Sequence, residues 1–201
     1  MNRKMPDRFL RVLIYLFPAV MDMIVGQILF VSTLRLAKMN VSAVTVAGVV
    51  IVWSAVYTVA SPLTGLLVKP SNAARLMFTS CGVLVLVSAL FILFPGIPAT
   101  YLLCGLSAVA AALFFTPFQI FMKAVDRHGN KPITYSVGLY TLAWSTGFAL
   151  GPFISGYLME MGSAAAPGQE TSGWKYAFAV GGVAASLTAA GIYGLKHLVQ
   201  P

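Results

Sequence analysis

One acidic side chain lies well inside an apolar run: Asp22, flanked by Met21 and Met23. Asp7 and Asp126 fall in the polar gaps between apolar runs, while Glu160 and Glu170 fall at or beyond the end of another. If its run crosses a membrane, an ionised carboxylate there costs about 2.5–3.5 kcal/mol. Such a group is retained where it faces a cavity, a partner or a substrate, and there it can take up and release protons. The chemistry on offer is proton coupling, or recognition of a cationic or polar solute. The other reading is a buried, protonated or hydrogen-bonded structural acid.

Pro18 stands one turn before Asp22 and leaves the carbonyl of Ile14 without its usual donor. A bent helix with a carboxylate at the bend would make a binding point. Pro117 frees Leu113 in the same way. Gln27 and Gln119 are weaker candidates, because amides inside apolar helices often only bridge neighbours. His128 and His197 lie in polar or terminal positions and read as solvated side chains. Cys81 and Cys104 sit in apolar runs without metal-ligand neighbours, and read as small buried side chains. There is no HExxH, no phosphate loop and no pair of carboxylates, so neither an enzyme, a cofactor nor a metal is expected.

The elements that must position these groups are membrane helices. Of the 201 residues, 59% are hydrophobic and 9% charged, against roughly 25% charged in a soluble domain. Six runs reach the roughly 20 residues that a spanning helix needs: Phe9–Val31, Val41–Val68, Leu76–Phe94, Ala99–Met122, Ile133–Met159 and Tyr176–Leu195. The second and fifth are long enough to tilt or to project beyond the hydrocarbon. The first follows Arg3, Lys4, Arg8 and Arg11, as a signal peptide would. It outlasts a signal core and lacks a small-residue cleavage pattern, so it reads as a retained helix. The expected fold is all-α, one six-helix transmembrane domain over residues 1–201.

The formal charge of +8 could indicate nucleic-acid binding. The basic residues occupy the gaps between runs instead, where they set topology, and no nucleic-acid partner is expected. With the N-terminus inside, the inner segments hold Arg3, Lys4, Arg8, Arg11, Lys69, Arg75, Lys123, Arg127, Lys131 and Lys196. The outer segments hold Arg35, Lys38 and Lys175. This excess predicts both termini in the cytoplasm, across a plasma or inner membrane.

The fifth run carries glycines at fixed spacing. Gly138 is followed after eight residues by Gly147, after three more by Gly151-Pro152, and after two by Ser155-Gly156. Ala143, Gly147, Gly151 and Ser155 fall on one helix face, where small residues admit a close neighbour. The spacing resembles the antiporter motif of the major facilitator superfamily, with Ser155 in place of a glycine. Gly173-Trp174-Lys175-Tyr176-Ala177-Phe178 resembles the entry to that family's sixth helix, and Trp174 and Tyr176 would anchor at the membrane interface. Ser61-Pro62-Leu63-Thr64-Gly65 resembles the end of its second helix. The signature loop that follows departs from the pattern. Lys69 stands where an acid is expected, Pro70 and Asn72 replace an arginine and a glycine, and Arg75 stays basic. The fourth helix also lacks the buried arginine of many proton-coupled members.

The resemblance implies two inverted three-helix units and secondary transport of a small solute, leaning toward proton-coupled antiport or efflux. It implies that Asp22 faces a central cavity, while the Gly151-Pro152 region seals the path on the outer side. Full-length members have twelve helices in two halves. Six therefore imply pairing with a second copy, pairing with a separate second half, or a truncated product. The rival class is a non-transporting membrane protein that docks on and regulates a transporter.

Overall fold

The computed structural model describes residues 7–126, 133–165 and 173–195. Arg3, Lys4, Arg127, His128, Lys131, Glu170, Lys196 and His197 lie outside the described residues. Within them the chain is all helical: α1 (Asp7–Lys38), α2 (Ala43–Leu67), α3 (Ala73–Leu93), α4 (Ile97–Asp126), α5 (Ile133–Ala165) and α6 (Gly173–Leu195). All six are long and apolar enough to cross a membrane. Even α3, with 21 residues, spans about 32 Å at 1.5 Å per residue, matching a hydrocarbon core of about 30 Å. The protein is a multi-pass membrane protein.

Hydropathy located the helices but misjudged some ends. α1 runs past the expected Val31 to Lys38, and it carries Arg35 into the bundle. That guanidinium packs on the Trp174 ring, 4.7 Å from its centroid, which lets the helix extend through a charge. Trp174 is buried against Arg35, while Tyr176 stays exposed. α5 also runs on, to Ala165, while α2 is a 25-residue span. Pro18 and Pro117 do not break their helices, nor do Pro62 and Pro152. Each costs a backbone bond, but tight packing and the absence of competing water hold the remaining helix together.

Short polar turns join the helices. Asn40 takes a positive φ of 56° after α1, which asparagine tolerates. Ser42 then caps α2 by accepting from the Thr45 amide at 3.2 Å. Asn72 closes the α2–α3 turn: its Oδ1 accepts from the Lys69 amide at 2.7 Å, and its Nδ2 donates to the Leu67 carbonyl at 2.9 Å. A glycine in that place could make neither bond.

α1 and α4 form the centre, with 56% of the apolar stretch of each buried. The figures for α2 and α5 are 6% and 11%, so these two helices present broad outer faces. α1 packs chiefly on α5, α4 on α2 and α3, and α3 on α6. The α3–α6 seam holds a stacked pair, Phe91 and Phe178, with centroids 4.3 Å apart and planes 2° from parallel. At the α2–α4 seam Tyr101 donates to the Thr45 carbonyl at 2.5 Å and rests on Gly48. Lipid is as apolar as this core, so packing rather than transfer from water drives association. Phe91→Ala or Phe178→Ala is therefore expected to cost roughly 2–4 kcal/mol through the void left behind. The double variant should cost less than the sum, because either change alone abolishes the stack. Thermal unfolding in detergent measures both.

Candidate functional site

Asp22 lies midway along α1, 7% exposed, and its Oδ2 is fully buried without a hydrogen-bond partner. Two phenols come within electrostatic reach of it, Tyr57 from α2 and Tyr140 from α5. Tyr57 stacks on Trp53, one turn back, at 5.1 Å between centroids, and its hydroxyl is within hydrogen-bonding reach of Ser61. Ser61 in turn approaches Thr116 of α4 at 3.4 Å. Tyr140 stacks on Phe118 of α4 at 5.6 Å and is within hydrogen-bonding reach of Gln119, whose side chain is exposed. The Trp53 Nε1 is buried without a partner.

The cluster thus takes one acidic group from α1, two aromatics from α2, an amide from α4 and a phenol from α5. Neither α3 nor α6 contributes. An unsatisfied buried acceptor (Asp22 Oδ2) and an unsatisfied buried donor (Trp53 Nε1) each cost about 1–3 kcal/mol. A polar solute or a water that reaches such a group recovers its cost. The available chemistry is hydrogen bonding to a small polar or cationic solute, with a carboxyl that can hold a proton.

The structure brings Asp22 and Gln119 into one neighbourhood, linked through Tyr140. It places Gln27 elsewhere. Gln27 is buried, donates through Nε2 to the Ala177 carbonyl of α6, and rests its amide over Gly181. It is a tie between α1 and α6. Tyr57, Tyr140 and Trp53 escaped the sequence reading. For Trp53 and Tyr57 the available signal was polar aromatics near the middle of α2, away from the interface where Tyr and Trp usually collect; Tyr140, seven residues into α5, carried no such signal.

The glycine motif divides. A Cβ on Gly147 would collide with the backbone of Ala19, and one on Gly151 would lie 2.6 Å from the Met23 carbonyl oxygen and 2.8 Å from the Gln27 nitrogen. From the other side, a Cβ on Gly26 would lie 2.9 Å from the Phe148 carbonyl oxygen and 3.5 Å from Pro152 Cδ. Backbone therefore meets backbone along Ala19–Gln27, on both sides of Asp22 in sequence. Ser155 is buried and donates back to the Gly151 carbonyl at 2.7 Å, so its hydroxyl needs no other partner. Gly138 and Gly156 face open space. Pro18 is buried one turn before Asp22, and Pro117 is buried beside Phe118.

No protein-family model and no curated protein sequence matches the chain.

Gly147→Val and Gly151→Val should each force α5 off α1 and destabilise by more than the usual 1–3 kcal/mol of overpacking, enough to lose folded protein. Gly138→Ala and Gly156→Ala, in open space, should leave stability unchanged or slightly raised, as expected from helix propensity. Detergent melting curves with size-exclusion profiles distinguish the two pairs.

Proposed function

We propose that this chain is one six-helix half of a secondary transporter of the major facilitator type, and that Asp22 couples a small solute to proton movement. The observation that carries the reading is the site itself: a buried carboxyl with an unpartnered oxygen, within electrostatic reach of two phenols from two other helices, α2 and α5, with a buried indole stacked on the α2 phenol.

The helix neighbours support an inverted repeat. Exchanging α1 with α4, α2 with α5 and α3 with α6 turns the α1–α5 contact into α4–α2, and the α1–α6 contact into α4–α3. The α3–α6 and α1–α4 contacts map onto themselves; α1–α6 is less extensive than its counterpart α3–α4, and α5–α6 has no counterpart of like extent. Two inverted three-helix units would produce such a pattern. The basic residues of the inner segments favour cytoplasmic termini.

The exposed faces of α2 and α5 support a paired pathway. Ser54 and Thr58 lie one turn apart on α2, and Thr141 and Ser145 one turn apart on α5, all exposed. Ser54, Thr58 and Thr141 follow Trp53, Tyr57 and Tyr140 directly in sequence. Hydroxyls gain nothing from lipid but suit a water-filled path closed by a second bundle, either a second copy or a separate half.

The test is solute-driven proton movement in proteoliposomes, read as dissipation of a pH gradient over a panel of small cationic and neutral solutes. Asp22→Asn should reduce it by about a hundredfold or more, the loss typical of removing a positioned proton-transfer group. Tyr140→Phe should retain more, since the carboxyl remains. Movement unchanged in Asp22→Asn would refute coupling through this residue. No movement from the folded wild type would shift the reading to a missing second half, or to a membrane protein that regulates a transporter.

A further inference from the structure

The far end of the bundle carries a second unusual charge. Arg35 lies in the last turn of α1, yet it is only 8% exposed. Arginines this buried are normally paired with an acid. Here the guanidinium lies over Trp174, and Lys175 lies 5.7 Å from the centroid of the same ring. Two cations share one indole at the first turn of α6. Among the described residues no carboxylate pairs with Arg35 and no acceptor takes any of its N–H groups. Asp22 is thirteen residues back along α1, about 20 Å away at 1.5 Å per residue. Glu160 is exposed on α5.

A cation over a ring has its charge partly met, but all five donors of the guanidinium remain open. The contact with the ring also holds the guanidinium at the start of α6. The first turn of α6, a 23-residue helix, adds backbone N–H groups and the positive end of its dipole beside the same indole. Arg35, Lys175 and that helix start all call for one partner, a compact oxyanion that accepts several charge-assisted hydrogen bonds at once.

We infer that Arg35, Lys175 and the first turn of α6 bind an oxyanion of the phosphate class. Arg35 grips it in bidentate fashion, Lys175 closes on it from the exposed rim, and Trp174 holds the guanidinium in place. The site lies at the ends of two spanning helices, the depth at which lipid headgroups sit. A phospholipid headgroup and a free phosphate in solution offer the same chemistry.

The full chain in neutral phosphatidylcholine nanodiscs provides the test. Trp174 fluorescence is read in a Trp53→Phe, Trp144→Phe background, either on titrating inorganic phosphate or on adding phosphatidylglycerol to the discs. A saturable change is expected, with affinity falling about tenfold in Arg35→Gln through loss of charge-assisted hydrogen bonds. Lys175→Gln, at an exposed position that folding does not need, should weaken it by a smaller factor. A response to phosphatidylglycerol alone assigns the site to a lipid headgroup; a response to phosphate in neutral discs assigns it to a soluble anion. The inference is overturned by no response to either probe. It is equally overturned by a response of full affinity in both variants, or by one that appears only with Glu170→Gln, which would make that acid the resident partner of Arg35.

Discussion

The arrangement of the bundle depends on one backbone-to-backbone contact. α5 lies against α1 so closely at Gly147 and Gly151 that no side chain fits between them, and the contact runs from Ala19 to Gln27. In lipid such a contact replaces the hydrophobic drive that would hold helices together in water. It also fixes how α1 is rotated about its axis. With the Ala19–Met23–Gly26 stripe pressed to α5, Gln27 is directed to α6 and Asp22 toward the phenols. The position of the carboxyl is therefore a consequence of small residues on another helix.

That constraint gives the two intramembrane polar groups of α1 different fates. Gln27 ties α1 to α6 through its donor on the Ala177 carbonyl, and its Oε1 is buried without a partner. Asp22 keeps one oxygen free, beside aromatic groups that can donate hydrogen bonds. A membrane interior tolerates an unpaired polar atom only where something else can reach it, such as water, solute or a partner helix. The same logic applies at the other end of α1, where Arg35 meets an indole instead of an acid.

The six helices were legible in the sequence because length and apolarity suffice to mark a span. The small-residue face of α5 was legible too, since four-residue spacing puts Gly147, Gly151 and Ser155 on one side of any helix. Which neighbour that face would meet was not legible: in a membrane the inside and outside of a bundle are equally apolar, so periodicity does not show direction. For that reason Gln27 and Gln119 looked alike in sequence, yet one is buried on α6 and the other is exposed beside Tyr140. Tyr57, Tyr140 and Trp53 looked like ordinary apolar bulk, and only packing brings the two phenols within reach of the carboxyl, with Trp53 stacked on Tyr57. The run-on of α1 through Arg35 was hidden because its reason, Trp174, lies almost 140 residues away in sequence.

The most direct measurement is carbodiimide labelling of the folded chain in liposomes, with the modified carboxyl located by peptide mass spectrometry across a range of pH. Carbodiimides enter apolar regions and react with protonated carboxyls. A working proton carrier should be labelled at Asp22, with the extent of labelling falling as pH rises and protected by a coupled solute. If Asp22 remains unlabelled at every pH in folded protein, or is labelled to the same extent throughout, it does not exchange protons with the aqueous phase. The coupling role would then be wrong.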